Sequence, residues 1–198
     1  MSKKEINILC LHGCNQTKEM FEGLTKQMRE IATTYCKNKK CEMIWHFVEA
    51  EYDHSLGGKT WYNVELDVPK IGTIEFDHAM ANPTLEMIDK VINDLNINVL
   101  VGFSQGGNVV DTYLVNKENH IKCAVIFSGY NLVDDNRKVD VETPVMNVYS
   151  DSDMIVPSKF MPIYKNMELR AHDKGHKLPT SKPFVREIID YIFTNCIN

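Results

Sequence analysis

The stretch Leu100-Val101-Gly102-Phe103-Ser104-Gln105-Gly106-Gly107 constrains the fold more than any other part of the chain. An apolar run with the character of a buried strand stops at Gly-x-Ser-x-Gly, and a helix-patterned segment, Asn108 to Lys117, follows at once. A strand that turns straight into a helix needs a tight bend, and Ser104 stands at its apex. Such a bend pushes the serine hydroxyl into the open, beyond the carboxyl end of a sheet and at the positive end of the next helix. Glycine is required at Gly102 and Gly106 because the two backbones pass too close for a Cβ. The bare pattern would also suit a plain glycine-rich turn; its position between strand and helix favours a nucleophile.

The rest of the chain supplies the sheet and its covering. Ile6 to Leu11, Met43 to Val48, Val99 to Phe103, Cys123 to Phe127, Val145 to Tyr149 and Met167 to Ala171 read as short buried strands. Between them lie helical spacings. Met20, Phe21, Leu24, Met28 and Ile31 mark the first, with Asn15 or Thr17 as its cap. Leu85, Ile88, Val91, Ile92 and Leu95 mark the second, opened by Asn82 as cap and Pro83 in the first turn. Val109, Val110, Tyr113 and Leu114 form the buried face of the third, and a helix is expected near Pro157-Ser158. Ser181 and Pro183 open the last, whose inner face is Phe184, Val185, Ile188, Ile189 and Ile192. Strands alternating with helices call for a mostly parallel six-stranded sheet with helices on both faces, the α/β class, linked by right-handed crossovers.

Residues 49–81 break this rhythm. Gly57, Gly58, Pro69 and Gly72 interrupt any periodicity, and Tyr52, Trp61, Tyr62 and Phe76 are interleaved with acidic residues. A loop of this length inside a compact fold is usually functional, so 49–81 is expected to be an irregular, lid-like insertion in a single domain spanning 1–198. A surface excursion with a few buried aromatic residues is the competing reading.

Bulk properties exclude several classes. A chain of 198 residues with 43% hydrophobic and 25% charged residues suits one folded domain and argues against disorder. The net charge of -5 and the lack of a long basic run argue against nucleic acid as a partner. No apolar segment approaches the roughly 20 residues that span a bilayer, and the start Met-Ser-Lys-Lys-Glu is unlike a signal peptide, so a cytoplasmic location is expected. The six cysteines, Cys10, Cys14, Cys36, Cys41, Cys123 and Cys196, are scattered and include no Cys-x-x-Cys pair, which favours free thiols over staples or zinc. Nothing in the sequence indicates an oligomeric state.

The residues that close the strands carry the chemistry, because ligands of open α/β sheets bind at the carboxyl ends. Ser104, Asp153 and His176 fall there in the chain order Ser, Asp, His. A serine hydroxyl needs an imidazole to take its proton, and the imidazole needs a carboxylate to fix its tautomer. Ser104 is read as nucleophile, His176 as general base and then acid, and Asp153 as the orienting group. Asp151 competes with Asp153, and His172, at the end of the last strand, competes with His176, which follows Gly175 in a loop free to reach back. A metal site made of His172 and His176 would need both rings on one helical face, which Gly175 and Pro179 oppose. The oxyanion donors are expected from the backbone N–H of Gln105 and from the loop after the first strand, at Cys14 or Asn15, with Cys14 preferred. No sign of activation marks Cys14 as a nucleophile itself.

With these residues in view, the chain resembles the FSH family of serine hydrolases. The likeness rests on Leu11-His12-Gly13-Cys14-Asn15-Gln16 with Phe21, on Gly102 to Gly107, on Phe127-Ser128-Gly129-Tyr130, on Asp151-Ser152-Asp153-Met154-Ile155-Val156-Pro157 and on His172 with Gly175-His176-Lys177-Leu178-Pro179. The resemblance implies an α/β-hydrolase fold, a carboxylesterase-type activity on a small-molecule ester, and no metal or cofactor. Trp61, Tyr62 and Tyr130 are the aromatic residues expected to bind substrate. Three departures stand out: Ser150 where such enzymes often have glycine, Lys174 in place of one glycine before the histidine, and Glu49-Ala50-Glu51 in place of Asp-Ala-Pro. The same fold and chemistry would also serve an acyl thioesterase or lysophospholipase, and a non-catalytic ligand-binding protein is the rival of a different class.

Overall fold

Apolar residues on the strands point alternately to two cores, and this places the helices. The computed structural model describes residues 3–62, 78–130 and 141–197, with side chains from residue 83 onward in the helix that begins at His78. Strands β1 (Lys4–Leu11), β2 (Cys41–Phe47), β5 (Val99–Phe103), β6 (Cys123–Phe127), β7 (Val145–Tyr149) and β8 (Met167–Ala171) form one sheet in the order β2-β1-β5-β6-β7-β8. Every neighbouring pair is parallel. Ile8, Cys10, Val99, Val101, Phe103, Val125 and Phe127 face a core shared with α1 (Lys18–Leu24), α2 (Lys26–Cys36) and α5 (Lys182–Ile197). Leu9, Leu11, Leu100, Ala124 and Ile126 face the other core, covered by α3 (His78–Asp94) and α4 (Gln105–Asn116). Period-two alternation is what a strand buried on both faces imposes, and it divides the helices between the two sides.

Several expectations are corrected in detail. The first helix is two helices: Thr25 is buried at their junction, and its hydroxyl donates to the Phe21 carbonyl at 2.9 Å. Its cap is Thr17, which accepts the Met20 N–H, and Met20 and Leu24 lie exposed. Helix α3 starts at His78 rather than at an Asn82 cap, so Pro83 lies inside it. As the sixth residue of α3, Pro83 lies beyond the four N–H groups that have no intrahelical partner, so it removes one helical hydrogen bond. The helix expected near Pro157-Ser158 is a single 3-10 turn, Ser158–Phe160.

The stretch 49–81 is not irregular throughout. It contains a two-stranded antiparallel hairpin, β3 (Tyr52–Asp53) and β4 (Lys59–Thr60), and residues 78–81 belong to α3. The remainder of the expected lid, 63–77, lies outside the described residues. All six cysteines are free thiols.

Candidate active site

The bend after β5 forces Ser104 into an unusual backbone conformation. Its φ is 53° and its ψ -115°, a region an L-residue enters only when its surroundings over-determine it. Two glycines make the bend possible. A Cβ at Gly102 would lie 2.4 Å from the Gly106 carbonyl oxygen, and one at Gly106 would lie 2.2 Å from that of Leu11. Helix α4 therefore packs against both β5 and the end of β1 with no room to spare.

At the carboxyl edge of the sheet three side chains meet. His176 Nε2 lies 3.1 Å from Ser104 Oγ, and His176 Nδ1 lies 2.8 Å from Asp153 Oδ2. With the carboxylate accepting from Nδ1–H, Nε2 is left as the acceptor facing the serine hydroxyl. Asp153 is 4% exposed, and its Oδ1 accepts the N–H groups of Ile155 (2.9 Å) and Val156 (2.8 Å). Burial opposes ionisation of this carboxyl, yet the Val156 N–H and the His176 ring together hold it below the ordinary carboxylate value. The imidazole also leans on Phe103, with ring centroids 5.0 Å apart.

The competing residues point elsewhere. Asp151 accepts the Ser158 hydroxyl at 3.2 Å in an exposed turn. His172 accepts the Lys174 N–H at 3.2 Å and packs its ring edge-on to Phe184.

The donors expected for an oxyanion lie in the loop after β1 and at the start of α4. In the loop after β1, Gly13 spends its N–H on Gln16 Oε1 (2.9 Å) and Asn15 spends its own on the Lys59 carbonyl (2.8 Å), which leaves that of Cys14. The Gln105 N–H is in the first turn of α4, ahead of the first helical bond from Asn108 N to Ser104 O. Burial raises the Cys14 thiol above its ordinary value, so the side chain is a neutral thiol.

Both donor-bearing segments are tied to the β3–β4 hairpin, a feature the sequence did not reveal. Lys59 donates its N–H to the Gln16 carbonyl (2.9 Å), and Gly58 donates to Asn15 Oδ1 (3.1 Å). On the other side Gln105 Oε1 accepts from the Trp61 N–H and from the Thr60 hydroxyl, each at 2.9 Å. The aromatic residues expected to touch substrate belong to the same brace. Trp61 is 0% exposed and its indole donates to the His12 carbonyl, while the Tyr62 hydroxyl donates to Asn108 Oδ1 and lies 3.2 Å from that of Tyr130. Buried rings with these hydrogen bonds support the walls of the site and offer no open surface to a ligand. Thr60 and Asn108 carried no pattern by which sequence reasoning could find them, because their partners lie 45 or 46 residues away.

The model of the serine hydrolase (FSH1) family matches residues 1–188. The chain belongs to the FSH1 family of serine hydrolases. Among FSH1-related proteins it is similar to "Family of serine hydrolases 3" of Saccharomyces cerevisiae, 26% identical over 97% of this chain and 85% of the yeast protein. It is also similar to an esterase of Caenorhabditis elegans, 23% identical over 96% of this chain and 94% of the worm protein. In fold, this FSH1-family chain is similar to SOBER1 of Arabidopsis thaliana, with a TM-score of 0.70 at 15% identity, covering 96% and 99% of the two chains. YahD superposes with a TM-score of 0.69 at 13% identity, covering 98% and 97%. The FSH1-family chain thus has the α/β-hydrolase fold expected from its sequence.

Proposed function

We propose that this protein is a carboxylesterase that cleaves small-molecule esters through an acyl-enzyme on Ser104. In this reading the Ser104 oxygen attacks the ester carbonyl carbon while His176 Nε2 takes the hydroxyl proton, and Asp153 steadies the imidazolium. The negative oxygen of the tetrahedral intermediate faces the N–H groups of Cys14 and Gln105. Collapse breaks the bond to the alkoxy group, which leaves as the alcohol with the proton from His176. Water then repeats the sequence, giving up a proton to His176 and releasing the acid. No step calls for a metal or cofactor.

The observation that carries this reading is the continuous hydrogen-bonded series from Ser104 Oγ through the His176 ring to Asp153, at 3.1 and 2.8 Å. A binding protein without chemistry has no use for a serine held at positive φ against an imidazole whose far nitrogen is pinned by a buried carboxylate.

A fluorophosphonate probe followed by peptide mapping tests it. Label on Ser104 and loss of ester hydrolysis in Ser104→Ala are expected, the loss being on the order of 10⁶ in kcat for a nucleophile of this kind. Ester turnover near the normal rate in that variant overturns the reading. Matched oxygen esters and thioesters then decide the substrate class, with the higher kcat/KM expected on the oxygen ester.

A further inference from the structure

We propose that Ser150 is a positioning residue, whose hydroxyl fastens the loop bearing His176 to the turn bearing Asp153. The inference rests on the roles given above to Ser104, Asp153 and His176. Ser150 directly follows β7 and is 1% exposed. Its Oγ accepts the Gly175 N–H at 3.2 Å and the Ser152 N–H at 3.3 Å, and lies 3.0 Å from Ser152 Oγ. A hydroxyl oxygen has two lone pairs and one proton. Both lone pairs are taken by N–H groups, so the proton goes to Ser152 Oγ and the group is saturated.

The loop it holds has few other anchors. Among the described residues, four hydrogen bonds tie 172–178 to the rest of the fold: His172 N–H to the Tyr149 carbonyl at the base, the two made by the His176 ring, and Gly175 N–H to Ser150 Oγ. Only the last fixes the backbone beside the imidazole. Gly175 itself is at φ +62°, a conformation in which glycine is at ease and which the Ser150 bond selects. On the other side, the Asp153 N–H donates to the Ser150 carbonyl at 3.0 Å. One residue therefore grips both segments, through its carbonyl toward the carboxylate and through its hydroxyl toward the imidazole. Glycine at this position would keep the first grip and lose the second.

The test compares wild type with Ser150→Ala, Ser150→Gly and Ser150→Thr, using steady-state hydrolysis of a p-nitrophenyl ester, the rate of fluorophosphonate labelling at Ser104, and the downfield proton resonance of His176 Nδ1–H. Misplacing a catalytic group by about 1 Å costs on the order of 10²-fold. The alanine and glycine variants are expected to lose about 10- to 100-fold in kcat and in labelling rate, with KM within twofold and the downfield resonance broadened by exchange. The threonine variant is expected to recover most of the rate. Equal kcat, labelling rate and resonance in wild type and alanine variant overturn the proposal, as does a drop in thermal stability alone with the folded enzyme unchanged in rate. If wild-type Ser104 fails to label, the proposed function fails, while the resonance still reports whether Ser150 steadies the His176–Asp153 bond.

Discussion

The indole of Trp61 donates to the carbonyl oxygen of His12 at 2.7 Å, so a ring from the hairpin is locked to the backbone that leads into Cys14. The neighbouring Trp61 N–H and the Thr60 hydroxyl reach Gln105. The two backbone donors proposed for the oxyanion are thereby set by a piece of chain far from both in sequence.

Gln105→Leu should expose that dependence. It keeps the size of the side chain and the backbone N–H but strands the buried Trp61 N–H, at a cost of about 1–3 kcal/mol, while the Thr60 hydroxyl keeps the Tyr62 carbonyl as acceptor. A lower unfolding temperature together with a fall in kcat of about 10-fold or more is expected from calorimetry and ester kinetics. Unchanged kcat in a destabilised variant would show that the brace supports the fold without tuning the donors.

Asp153→Asn preserves shape and removes the charge that orients His176. A loss on the order of 10⁴ in kcat is expected, the size found when such a carboxylate becomes an amide. The fold should persist, since the Ile155 and Val156 N–H groups can still donate to the amide oxygen. Near-normal turnover would remove Asp153 from the mechanism and reopen the choice of acid.

Gly106→Ala adds one methyl group in a place that has none to spare, 2.2 Å from the Leu11 carbonyl oxygen. Overpacking of this kind costs about 1–3 kcal/mol and sometimes more. Denaturant unfolding is expected to show a loss at or above the top of that range. Wild-type stability would mean that α4 can slide away from β1.

Asp111 offers a pH test independent of catalysis. Burial pushes its carboxyl up to about 7 from 3.8, with the Tyr164 hydroxyl offsetting part of the effect. Below about 3.8 both folded and unfolded chains hold the proton; between 3.8 and about 7 only the folded chain does; above that neither does. This carboxyl therefore makes stability fall as pH rises through that window, by an amount on the order of a few kcal/mol. The melting temperature of wild type minus that of Asp111→Asn should decline between pH 4 and 7 and then level off. A difference that stays constant with pH would refute the assignment.

Much of this architecture was legible because its signals are local. The bend at Ser104, the six strands of the main sheet and the stripe Val109, Val110, Tyr113 and Leu114 each declare themselves within a few residues. What stayed hidden has no local signal. Two-residue strands such as Tyr52–Asp53 and Lys59–Thr60 are too short for any period to show. Pro83 reads as a helix opener, yet α3 begins five residues earlier at His78. Trp61 looks like a ligand contact because aromatic residues in a loop often are; it is buried, with its indole N–H paired to the His12 carbonyl 49 positions away.

The twist of the main chain at residue 104 has a further bearing on which replacements could still do chemistry there. With φ at 53°, a side chain branched at its β-carbon is crowded against its own peptide groups, so threonine is closed as a substitute despite carrying the same functional group. Cysteine is unbranched and fits. The shape of one peptide unit thus leaves evolution, or an engineer, an exchange of oxygen for sulfur and denies the addition of a methyl.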